Sequence, residues 1–118
     1  MNIIAGCAAI VGGVAVALGA FGAHGLAAHF TSESKGWWDT ATFYLLTHAV
    51  AALALSLAGR IGGLNWASVA LLGGAILFAG TLYAMALGAP RWFGAITPIG
   101  GAAMILGWGL AAVTLFRS

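Results

Sequence analysis

The chain has 118 residues, 63% of them hydrophobic and 5% charged, with 19 glycines and a formal net charge of +2. A soluble domain of this size carries about 25% charged residues, and four basic and two acidic side chains cannot cover its surface. Disorder is excluded as well, because it requires low hydrophobicity and high charge, whereas the mean hydropathy here is +1.08. What remains is an all-α integral membrane protein whose outer surface meets the lipid bilayer.

A membrane helix needs about 20 predominantly apolar residues. Four such stretches follow one another, and together they predict one four-span membrane domain over residues 1–118. The first runs from about Ile3 to Ala23. It lacks the Lys or Arg that would open a signal peptide, so a true span is expected. The second runs from Trp37 to Ala58, after a polar segment that holds His24, His29 and Thr31 to Gly36. The third, Trp66 to Leu87, follows a short loop with Arg60, and Asn65 is placed to cap it. The fourth, Pro98 to Phe116, opens on Thr97-Pro98, a cap followed by proline at the first helical position. Trp37, Trp38, Trp66, Trp92 and Phe93 fall at span ends, where amphipathic rings sit at headgroup level. A β-barrel is excluded because the runs are continuous rather than alternating.

An even number of spans puts both termini on one side, with Arg60, Arg117 and the α-amino group, and leaves Lys35 and Arg91 on the other. That distribution predicts cytoplasmic termini. The pI near 9.2 comes from four scattered residues, not from a patch that would bind nucleic acid. The single cysteine, Cys7, is expected to pack as a small hydrophobe.

Helices in lipid associate through close packing and hydrogen bonds, and small residues permit the approach. Gly73, Gly80, Ala84 and Gly88 of the third span, Gly100, Ala103, Gly107 and Ala111 of the fourth, and Ala5, Ala8, Gly12, Gly19 and Ala23 of the first recur at helical spacing. All three stripes are predicted to face inward in a tight four-helix bundle.

Depth along the spans gathers the polar residues. At about 1.5 Å per residue, Tyr44, Thr47, His48, Thr81, Tyr83 and Trp108 fall in one membrane half or near the midplane, with His24 and Asp39 at its mouth. Thr40, Tyr44 and His48 are four residues apart and share a stripe, which should face the bundle because unpaired polar groups are costly in lipid. These residues therefore form either a polar network that holds helix register or a ligand-binding or proton-carrying cluster around His48. His24, His29 and a carboxylate do not match a metal motif, His48 and His24 differ in depth as haem ligands, and there is no nucleophile–base set. No metal or other cofactor is expected. The first span also lacks the buried acid on which the small four-span multidrug exporters depend.

Several separated strings are distinctive: Gly19-Ala20-Phe21-Gly22-Ala23-His24-Gly25-Leu26, Thr40-Ala41 with Tyr44 and His48-Ala49, Phe78-Ala79-Gly80-Thr81-Leu82-Tyr83, Ile96-Thr97-Pro98-Ile99-Gly100-Gly101, and Gly107-Trp108. In that order they resemble the domain-of-unknown-function family numbered 423, whose animal members are called transmembrane protein 256. The resemblance covers nearly the whole chain, although the family pattern often has serine where Gly80 stands. It implies a four-span protein of bacterial inner membranes or mitochondria. It also implies that His24, Tyr44, His48, Tyr83, Pro98 and Trp108 match motif positions, and it implies no reaction. The resulting expectation is a non-enzymatic accessory protein that meets a membrane-protein partner, or a second copy, within the bilayer. The alternative is a binder of a small apolar or lipid-like ligand or of protons. An enzyme acting on a lipid is the third reading.

Overall fold

The computed structural model describes all residues 1–118. Four helices, α1 (Ile3–His24), α2 (Ser32–Leu57), α3 (Leu64–Ala86) and α4 (Thr97–Arg117), account for nearly all of it, and no strand is present. Each is long and apolar enough to cross a membrane. Short 3-10 turns at Ala27–His29 and Arg91–Ala95 lie in the first and third connections.

The helix limits follow local chemistry. Asn2 caps α1 by accepting from the Ala5 amide, and its own amide donates to the Ser56 carbonyl of α2 at 3.0 Å. α2 begins five residues before its apolar stretch, because Thr31 and Ser34 form a reciprocal capping box. At 26 residues it is about 39 Å long, so its first turns, with Glu33, Lys35 and Asp39, stand outside a hydrocarbon core about 30 Å thick. Two expected caps are absent. Gly63, at φ +96°, precedes α3, and Asn65 lies inside the helix beside Gly59. Thr97 also lies inside α4, where its hydroxyl serves another helix, while Pro98 keeps its place in the first turn.

The helices do not close into a ring. α1 packs on α2, α2 on α3 and α3 on α4, whereas α1 and α4 share no packed interface. The molecule is accordingly flattened, at 49 × 27 × 19 Å. α3 is the most buried helix, and the main apolar cluster joins Ala15, Ala41, Leu45, Ala75, Ala79 and Leu82 across α1, α2 and α3.

Glycine sets the closest approach. A Cβ at Gly100 would lie 2.5 Å from the Phe78 nitrogen and 2.6 Å from the Gly74 carbonyl, so α3 and α4 touch backbone to backbone. Gly107 receives Leu71, and Ala111 is buried, as the fourth-span stripe predicts. The third-span stripe is wrong. Gly73, Gly80 and Gly88 are exposed and a Cβ at each meets nothing within 4 Å; the contact residue is Gly74, one position along. In α1, Ala5 and Ala8 are buried and Gly12 and Gly19 approach α2, but Ala23 faces outward. Trp38 is not a belt residue either: it is buried against Gly22 and donates to the Leu18 carbonyl at 2.8 Å.

Candidate functional site

Every buried side-chain nitrogen and oxygen has a hydrogen-bond partner, and the polar residues that share a depth divide into three separate groups. The first is built on His48 of α2. Its Nε2 accepts from the Trp108 indole of α4 at 3.1 Å, and its Nδ1 lies 2.9 Å from the Tyr44 carbonyl and 3.2 Å from the Thr47 hydroxyl. An indole N–H only donates. The geometry therefore sets the tautomer: Nε2 is the acceptor and Nδ1 carries the proton. Tyr44 stacks on the imidazole at 5.8 Å and packs on Phe78 at 4.8 Å. A cavity of about 320 Å³ opens beside this group, lined by Tyr44, His48, Phe78, Met104, Ile105 and Trp108.

In the second group the Thr81 and Thr97 hydroxyls meet at 2.6 Å and tie α3 to α4. In the third, Tyr83 bonds the Thr42 hydroxyl at 2.7 Å and packs edge-on against Trp38 at 4.5 Å, tying α3 to α2.

His48 and Trp108 thus meet as their depths require, but Thr81 and Tyr83 belong to other groups. The Thr47 hydroxyl donates to the Phe43 carbonyl of its own helix. His24 is exposed at the end of α1, away from His48. The Thr40–Tyr44–His48 stripe does not face inward as a unit: Thr40 is exposed and Tyr44 is 37% exposed, while only His48 is buried. Thr42 and Trp38 were missed as network members. Thr42 lies two residues from both Thr40 and Tyr44, and its azimuth on the helix was the absent signal. Ser68, buried in α3, also donates to the Ala52 carbonyl at 2.6 Å. Cys7 faces outward instead of packing.

The mouth of this membrane half is charged but paired. Lys35 bonds Asp39 at 2.7 Å, and Arg91 pairs with Glu33 and lies over the Trp37 ring. Such exposed pairs contribute about 0–1 kcal/mol each. No group of three His, Cys, Asp or Glu side chains converges as a metal site.

The model of the protein family of unknown function DUF423 matches residues 18–101, from the last turns of α1 through α2 and α3 to the α3–α4 glycine contact, and ends before Trp108. The chain belongs to the DUF423 family. Among its relatives, the UPF0382 inner membrane protein YgdD of Escherichia coli K12 is 42% identical over 113 residues, 93% of this chain and 86% of that protein. The UPF0382 membrane protein SSP2132 of Staphylococcus saprophyticus is 39% identical over 109 residues, 88% of each. The UPF0382 membrane protein SERP0230 of Staphylococcus epidermidis is 41% identical over 97 residues, 80% of each. No solved structure matches. The DUF423 chain described here is therefore a small integral membrane protein, consistent with four apolar helices and relatives named for membranes.

Proposed function

We propose that this protein is a non-enzymatic accessory protein that acts by lateral association within the bilayer, as a subunit or assembly partner of a membrane complex. The observation that supports this reading is the contrast between inside and outside. The buried polar groups are satisfied by one another or by backbone carbonyls, whereas α1 and α4 have no common interface and present Ile10, Val16 and Phe21, and Ile105, Leu106 and Val113, outward. The connections at residues 25–31, 58–63 and 87–96 are too short for a catalytic domain. Purification from native membranes in mild detergent tests this. A stoichiometric co-purifying membrane protein, or a defined homo-oligomer, is the expected result; a monomer carrying a small molecule refutes it.

That last outcome belongs to a second reading, a binder of a small apolar or lipid-like ligand or of protons. It is supported by the 320 Å³ cavity, which puts the Tyr44 ring and the His48 edge beside apolar walls.

The proposed orientation has both termini in the cytoplasm, with Arg60 and Arg117. A reporter active only outside the cytoplasm, fused to Ser118, should be silent. Strong activity would reverse the orientation.

A further inference from the structure

We propose that the groove between α1 and α3 binds one anionic phospholipid, with Arg60 holding the headgroup phosphate. The charge pattern points to this end of the molecule. Both acids of the chain, Glu33 and Asp39, are at the opposite end and already paired with Arg91 and Lys35. Arg60 has no acidic partner. It opens on the largest cavity, about 650 Å³, which is also lined by Asn65, Gly59, Asn2, Ile3 and Ile4. The Asn65 side chain faces that cavity without a protein hydrogen bond. A guanidinium fork beside a free amide suits a phosphate monoanion, and basic pockets between membrane helices recognise anionic headgroups.

The cavity continues into the bilayer. Ile3 and Ile4 also line an apolar cavity of about 310 Å³ with Cys7, Val69, Gly73 and Ile76. Asn65, Val69, Gly73 and Ile76 are one stripe of α3 that descends from the headgroup end. Eleven residues at about 1.5 Å each carry this stripe roughly 16 Å inward, the depth of one leaflet of a hydrocarbon core about 30 Å thick. Gly73 keeps the groove open, since a Cβ there meets nothing within 4 Å. Beyond Ile76 the groove passes Gly80 in the other leaflet. An anionic head at Arg60 and one acyl chain along Gly73 thus match the polarity, position and length of the surface.

The test uses the full chain in a non-ionic detergent and follows its melting midpoint during titration with phosphatidylglycerol, phosphatidylcholine or glycerol 3-phosphate. Phosphatidylglycerol should stabilise the protein at lower concentration than phosphatidylcholine, and glycerol 3-phosphate should not stabilise it. Arg60→Gln should weaken the phosphatidylglycerol response roughly tenfold, the loss of one charge-assisted contact. Gly73→Leu should fold normally and weaken it too, by filling the groove. Arg117→Gln and Gly80→Leu should retain the response, because neither change touches the site. Equal responses to the two lipids, an unchanged response in Arg60→Gln, or a full response to glycerol 3-phosphate would each overturn the proposal.

Discussion

Gly100→Ala is expected to lower stability by about 3 kcal/mol, the upper part of the range for overpacking. The added methyl would stand 2.5–2.9 Å from the Phe78 nitrogen, the Gly74 carbonyl and the Phe78 Cα, all of them backbone atoms. A side chain could rotate away; two helix backbones can only move apart. Separation also strains the Thr81–Thr97 bond one turn away. Gly109→Ala, on the same helix with nothing within 4 Å of its Cβ, supplies the control and should leave melting in detergent unchanged. Equal melting of the two variants would show that α3 and α4 do not meet at Gly74 and Gly100.

His48→Leu is expected to cost about 1–2 kcal/mol, the range found for inter-helix hydrogen bonds in model systems. It removes the acceptor of the Trp108 indole N–H in a setting with little water to replace it. Trp108→Phe removes the donor, and the double variant should be less destabilised than the sum of the two, by about 1 kcal/mol. An additive pair would mean that the bond does not hold α2 to α4. His48→Gln separates the two functional readings. An amide oxygen can accept from the indole, so folding should survive. A merely structural His48 then leaves complementation of a deletion strain intact. A ligand- or proton-binding His48 loses complementation, or the co-purified molecule, in a protein that melts normally.

The four spans were legible because lipid demands long apolar runs, and hydropathy reports that demand directly. The start of α2 was not, since its first turns leave the bilayer and are held by the Thr31–Ser34 box instead of by apolar residues. Facing was the harder question. A helix in lipid is apolar on all sides, so no polar stripe marks its outside. Gly73 and Gly74 are adjacent, and one position rotates the chosen face by about 100°; the spacing of Gly73 and Gly80 favoured the wrong one. Depth counting brought His48 and Trp108 together correctly. It could not divide Thr81 from Tyr83, which lie two residues apart on opposite sides of α3 and bond to α4 and α2 respectively.

The open arrangement of the helices has a consequence for biosynthesis. α1 leaves the ribosome before α2, yet only small residues, Ala5, Ala8, Ala15 and Gly22, are buried along it, and its packing is mostly against α2. It must wait in the bilayer until α2 arrives, and its Asn2 and Trp38 fastenings need the two ends of α2. Once the chain is complete, α3 and α4 are joined through glycine contacts, α2 and α4 through the His48–Trp108 bond, and α2 and α3 through the Thr42–Tyr83 and Ser68–Ala52 bonds, none of which involves α1. The helix made before its partners is therefore the one most easily released, and its amides should exchange with solvent deuterium before those of α3.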